Sequence, residues 1–493
     1  TSSKLYIWPN KTFAPGGTIT LLGNAQASPS GDIHIANGAT LTAGGNISVA
    51  GNWIASSTAT FTPSTYTVTM TATTTGKDIW TVPVSTAKFY DLTFNGSGGA
   101  WTFKSSSATT TNNFTITAGT VTAPVNLYVG NNYANSGTFT AGTGAVWMTG
   151  TGGSDTVTPG SSTFYDLTFN GSGGSWSFGT NSATTTNNFT ITLGTVTAPN
   201  NLYITGSYSN SGTFTHNSGR IIFNATGAKT ITAGGVASDF FQLDFNGAGG
   251  QWTFVGAATS TATTTITQGT VIQAAAANLD LASFNIGASG VFTAASGVGV
   301  IYFEDDDPIF IADNRASKTT LGNVYIGYSP AIANQSSDLA VTSLTINSGD
   351  THNTRGYEID SSGAITVNGT GVLNANSSAA GETNGSVITV GTDWTIGASA
   401  TFTAEEPGSA STTVYFDENT AGTITPGGTD ANHDFWNFIV QKSAAQTVTL
   451  AGAIDVNNDI EITGSNSTFD VSASNYAITA GGSWLNTGNF TAR

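Results

Sequence analysis

The sequence predicts an all-β fold: a single elongated parallel β-solenoid, wound as a right-handed β-helix, with coils of about nineteen residues and four coils per sequence cassette. Three observations predict it. The phrase FYDLTFNGSGG opens at Phe89 and again at Phe164, a period of 75 residues (164 − 89), and FFQLDFNGAGG opens a looser copy at Phe240. Repetition at a fixed period marks a stacked fold in which each unit packs on its neighbours. Each cassette breaks into short apolar alternations separated by Gly, Asn or Ser, which is strand and turn chemistry with no helical period. Finally, 61 of the 493 residues are Gly, 8% are charged and 10% are aromatic, too many aromatics for a disordered chain and too little charge for an ordinary globular surface. Thr, Ser and Asn then face solvent, and a thin core runs along the chain. The rival reading is a row of small antiparallel β-sandwiches, but such a domain needs about 100 residues. Right-handed winding is the default for parallel crossovers.

The first cassette divides into four lines, 89–107, 108–126, 127–144 and 145–163. Period-2 alternation puts Tyr90, Leu92 and Phe94 inward, with Asp91 and Thr93 outward. The later copies repeat this with Tyr165, Leu167 and Phe169, with Phe241, Leu243 and Phe245, and with Trp436, Phe438 and Val440. Trp101 and Phe103 form a second inward pair. Stacking the lines sets Phe94, Ile116, Val129 and Met148 in one column, and Trp101 or Phe103, Val121, Phe139 and Val157 in another.

Taken in order, residues 1–88 are N-terminal coils completing a partial cassette, followed by cassettes at 89–163, 164–239 and 240–320. A fourth, expanded cassette spans 321–434, and a fifth, truncated one spans 435–493. The expansion lies near 327–386, a Ser/Asn/Gly-rich stretch read as extra coils or a long side loop, and the least repetitive part of the chain. Thr1 opens on no leader pattern, which fits a mature chain or a fragment.

The last line, SWLNTGNFTAR, lacks the strand that follows GTFTAGTGAVWM and SGTFTHNSGRIIF in earlier copies. KLYIWPNKTFAPGG at the start resembles that missing strand, as in TVYFDENTAGTITPGG. The expectation is head-to-tail stacking of copies through Lys4, Leu5, Tyr6, Ile7, Trp8, Trp484, Phe490 and Arg493, a non-closing contact that yields a filament. The competing expectation is a segment of one longer repetitive polypeptide.

Net charge is −17 with no basic stripe, so nucleic acid is not an expected partner. The absence of Cys excludes disulfides and thiolate metal sites, and no apolar run is long enough for a membrane span. The phrases FYDLTFNGSGG, GTVTAP, GNW…GTFTAG and TITPGG resemble repeats of bacterial secreted or surface β-solenoid proteins, autotransporter-like or filamentous-haemagglutinin-like adhesins. The resemblance covers nearly the whole chain and is compositional. It implies an extracellular or cell-surface location and a structural or adhesive role, and it carries over no catalytic residues.

Glu304, Asp305, Asp306 and Asp307, with Asp313 nearby, form the one dense acidic run and the candidate calcium ligands; no other cofactor is expected. The plain reading is a solvated turn, because the Gly-spaced alternation of a calcium loop is missing. Asp455, Asn457, Asp459 and Glu461 have the same standing. An enzyme is not expected. Cations recur at no fixed cassette position, and His34, His216, His352 and His433 sit in unrelated contexts. Thr109–111, Thr184–186 and Thr263–265 recur once in four lines, whereas an ice-binding array needs Thr on every coil. Outward Tyr128 and Tyr203 are candidates for stacking on surface glycans. The functional expectation is a structural filament subunit; the alternative is a stalk or carbohydrate- or surface-binding section of a large adhesin.

Overall fold

The computed structural model describes residues 4–23, 30–81, 88–234, 238–305, 308–327, 330–375, 385–404 and 411–493. These residues form parallel β-solenoid with no helix, about 21 turns in all. The chain divides into two compact units, residues 1–225 with 229–241, and residues 226–228 with 242–493.

In the first unit each coil lays down three strands, one on each of three faces. The first face runs through Ile19–Leu21, Ile47–Val49, Thr67–Met70, then 91–94, 114–116, Tyr133–Asn135 and Asp155–Thr158. The second runs through Leu5–Ile7, Ile33–Ile35, Trp53–Ala55, Lys77–Trp80, 101–103, 120–122 and Thr138–Thr140. The third includes Ser107–Thr110, Asn126–Val129, Ala145–Met148, 166–169, 189–191 and Tyr208–Asn210. Every pairing is parallel, so each backbone group finds its partner one coil above or below, at about 4.8 Å.

The repeat and the coil do not share a period. From 91–94 to 166–169 the chain takes eleven strand steps, counting the corner at Phe164, which bridges to Thr185. Three steps close a turn, so the 75-residue cassette is 11/3, or three and two-thirds turns, and not the four expected. The first line supplies two strands because the NGSGG insert is spent on a bulge, with register shifts between Phe94 and Asn95 and between Asn95 and Ala100. The next two lines supply three strands each, counting Ser107–Thr110 (SATT), whose lack of apolar alternation hides it in the sequence; the fourth supplies Ala145–Met148 and Asp155–Thr158, and the corner at Phe164 completes the eleven steps. Coils are therefore longer than nineteen residues on average: Leu92 pairs with Phe114 and Tyr133 with Val157. Hence about 21 turns form where 493/19 gives about 26.

Three-strand coils also correct the expected columns. Ile116 pairs with Asn135 and not Val129; Val129 stacks with Thr110 and Met148; Val157 belongs with Tyr133. Trp101, Val121 and Phe139 do share a column. The inward residue of FYDLTF is Phe89 and not Tyr90, because the chain turns a corner between Phe89 and Leu92. For the same reason Phe164, Phe240 and Phe435 are buried, while Tyr165, Phe241 and Trp436 are only partly covered.

The core of this unit is an aromatic column. Phe94 sits 5.1 Å from Trp101 and 5.7 Å from Phe114, which stacks on Tyr133 at 5.7 Å. The bulge exists to seat the indole: a Cβ on Gly96 would lie 1.8 Å from the Ala72 carbonyl oxygen, and one on Gly119 2.6 Å from Trp101 Cζ3. Gly119 also holds φ +92, a left-handed conformation that favours glycine.

The second unit uses the same three-strand coil. One face runs Leu339–Val341, Ile359–Ser361, Val387–Val390, Thr413–Phe416, Asn437–Val440, Ile460–Ile462 and Trp484–Asn486. A second ends Gly422–Thr425, Gln446–Leu450, Ser467–Asp470, Asn489–Thr491. The described part of the expanded 327–386 stretch is coil, with Ile332–Gln335, Thr351–Asn353 and Val372–Asn374 stacked in register. The interior from Asp313 through this stretch differs in kind: Asp313, Arg315, Gln335, His352, Thr354 and Ser361 are all buried.

Candidate functional site

The terminal coils are the first candidate. Leu5 and Ile7 continue the inward alternation of Leu5–Ile7, which pairs with Ile33–Ile35 on one side; among the described residues no strand pairs on its other side. Lys4, Tyr6 and Trp8 lie elsewhere, in a cluster on the outer surface. Tyr6 stands 4.7 Å from His34 and 5.1 Å from Trp8, with Lys4 Nζ 5.7 Å above its ring. At the other end Trp484 and Phe490 meet edge to face at 5.1 Å over a hollow of about 420 Å³ lined also by Val471, Tyr476 and Ile478. Trp484 is 39% exposed and Phe490 36%, whereas their column neighbours Ile460 and Phe469 are fully buried. Arg493 donates to Asp470 Oδ2 at 2.9 Å on the outside.

Of the acidic run, Glu304 and Asp305 are described. Asp306 and Asp307 lie outside the described residues, and among the described ones no three His, Asp or Glu side chains converge as metal ligands. Burial raises the Glu304 carboxyl pKa, helped by the charges of Asp280 and Asp350. Asp313 faces the lumen, where Arg315 Nε donates to its Oδ1 at 2.7 Å and Lys318 Nζ donates to its carbonyl at 2.9 Å. Asp459 Oδ1 accepts the Ser483 N–H at 2.8 Å.

The histidines sit in separate settings. His34 Nε2 is 3.4 Å from Ser56 Oγ, His216 stacks on Phe241 at 5.5 Å, and His433 Nδ1 is 2.9 Å from Asp430. His352 is buried with Nε2 3.0 Å from Gln335 Oε1, and burial lowers its pKa to about 4. Lys442 is buried beneath Phe416, 5.9 Å from the ring centroid, and desolvation lowers its pKa against the opposing charges of Asp417 and Glu418.

Because each cassette is three and two-thirds turns, equivalent residues move to a new face in the next copy. Tyr128 lies on the third face, stacked on Trp147 at 6.0 Å, while Tyr203 lies on the second. Thr109 and Thr184 separate likewise. No flat array of equivalent residues forms in the first unit.

Sequence reasoning missed the corner ladders. Asp91 Oδ1 accepts the Asn113 N–H at 3.0 Å; Asn113 Oδ1 accepts from Asn132 N at 3.2 Å; Asn132 Oδ1 accepts from Thr156 N at 2.7 Å. The next cassette repeats this through Asp166, Asn188 and Ser207. The signal was present as an Asn or Asp just before successive strands. These side chains satisfy backbone donors where the ladder breaks at a corner. Comparison with protein-family models, curated proteins and solved structures finds no match. No described helix is long and apolar enough to cross a membrane.

Proposed function

We propose that the chain is a structural subunit of an extracellular or cell-surface filament, of the bacterial surface-solenoid kind its repeats resemble. Copies polymerise head to tail, the C-terminal coil of one stacking on the N-terminal coil of the next. One observation carries the reading: in each unit the strands pair coil on coil and in parallel, so a coil of a second copy extends the same ladder, and doing so would cover apolar side chains such as Trp484 and Phe490 at about 25 cal/mol per Å². Leu5–Ile7 would add to Ile478–Ala480 by strand pairing, its open edge meeting an open edge. Of the expected contact residues, Leu5, Ile7, Trp484 and Phe490 would form the joint, with Lys4, Tyr6, Trp8 and Arg493 around its rim. Neither a metal nor another cofactor is required. The corner ladders and the rotating cassette suit a shaft, since both spread stability along the coil and leave no single working face.

Negative-stain imaging and intact mass of the native material test this. Uniform fibres built from 50.1 kDa chains are expected. Phe490→Asp, placed on an exposed position, should leave folded single subunits. A covalent mass far above 50.1 kDa, or fibres indifferent to Phe490→Asp, overturns the reading.

A further inference from the structure

We infer that a groove on the second unit binds a non-acidic oligosaccharide, a site independent of the filament joint. The groove has a volume of about 560 Å³ and is lined by Asn314, Ser336, Asp338, Tyr357, Glu358 and Val387, among others. These residues come from one corner of successive coils, following Ile309–Asp313 and Ile332–Gln335, preceding Ile359–Ser361 and opening Val387–Val390. It falls within and beside the expanded stretch, the part of the chain that escapes the repeat.

The lining chemistry selects the ligand. Amide, hydroxyl and carboxylate groups offer the mixed donors and acceptors that sugar hydroxyls pair with, and Tyr357 supplies a ring for a sugar's C–H face. Asp338 is held in place by accepting the Glu358 N–H on Oδ1 at 3.0 Å. The loop that carries Tyr357 is a tight turn with Arg355 at φ 56 and Gly356 at φ 87 as its central residues, closed by the Tyr357 N–H donating to the Thr354 carbonyl at 3.1 Å, which fixes where Tyr357 leaves the turn. Two carboxylates in a chain of net charge −17 repel phosphates and uronates. A peptide would lack anchors, because Val387 is the one aliphatic side chain beside Tyr357 in the lining.

The test is the full chain on an array of neutral, amine-bearing and acidic oligosaccharides, with hits titrated by calorimetry. Binding to neutral or amine-bearing spots is expected, with acidic spots blank. Tyr357→Ala should weaken it by roughly tenfold or more, as expected for losing a stacked aromatic platform. Glu358→Gln, at an exposed position, should weaken it less, and Tyr128→Ala in the first unit should leave it unchanged. Unchanged melting of each variant separates lost binding from lost fold. Blank neutral and amine-bearing spots, binding confined to acidic spots, or a titration indifferent to Tyr357→Ala overturns the inference.

Discussion

Trp101 and Asp313 both point into the lumen of a three-strand coil, yet the two interiors solve burial differently. Around Trp101 the first unit stacks rings: Phe94, Phe114, Tyr133, Phe139 and Phe164 follow at centroid separations of 5.1–6.3 Å. Around Asp313 the second unit stacks polar groups joined by hydrogen bonds. Arg315 caps Asp313, Gln335 Nε2 donates to the Glu358 carbonyl at 3.0 Å, and His352 meets Gln335. The backbone is the same, so the coil does not dictate the chemistry of its lumen. Apolar burial is non-directional and tolerates repetition. Buried polar groups must each find a partner, so such an interior is specific to its own sequence. That difference explains why the first unit is written as a repeat and the middle of the second is not.

The largest expected effect tests the aromatic interior. Trp101→Ala should destabilise the first unit by about 3–5 kcal/mol, through lost transfer energy and a cavity that the rigid ladders hold open. Trp101→Phe should cost much less, because the indole N–H is buried without an acceptor among the described residues and its removal offsets part of the lost area. Urea melts of the two variants check this. Equal losses would mean the ring column carries less of the stability than its burial indicates.

Next comes the ion pair. Arg315→Met should cost about 3–5 kcal/mol, because it strands the fully buried Asp313 carboxylate. Replacing both partners, Asp313→Leu with Arg315→Met, should recover most of that loss. A double variant as unstable as the single would show that Arg315 acts through its bonds to Thr319 instead of by neutralising Asp313.

How much was legible follows the same division. Alternation in FYDLTF and AWTF exposed the strands and the parallel stack, because period 2 is written directly into apolar residues. The third strand of the coil was not legible at Ser107–Thr110, where the inward residues are Ala108 and Thr110. A small residue and a threonine carry no hydrophobic signal, so apolar alternation does not mark this strand. The corner at Phe89 was hidden because a turn between faces keeps the chain extended while changing which way it faces. The groove at Tyr357 was not legible, since it depends on which loops the coil spacing brings to one corner, and its walls come from four separated stretches.

The smallest and most conditional effect is the pH dependence of the polar interior. The folded His352 pKa of about 4 lies below the ordinary 6.5 because burial disfavours the imidazolium. Between those values the unfolded chain binds a proton that the folded chain does not. Stability from this group is therefore fully present above pH 6.5 and falls as pH drops toward 4, by at most about 3 kcal/mol. Asp350 and Glu304 act in the opposite sense: burial raises both, so their contribution is favourable in acid and is lost as pH rises through the folded values. The wild-type profile is a difference of the two, which is why a variant is needed to resolve it. His352→Gln keeps a partner for Gln335 Oε1 and cannot titrate. Melting midpoints of wild type and His352→Gln should run parallel above pH 6.5 and diverge below it, with wild type losing more. Parallel curves down to pH 4 would place His352 in a setting where its proton costs nothing, and would remove acid sensitivity from what distinguishes the two interiors.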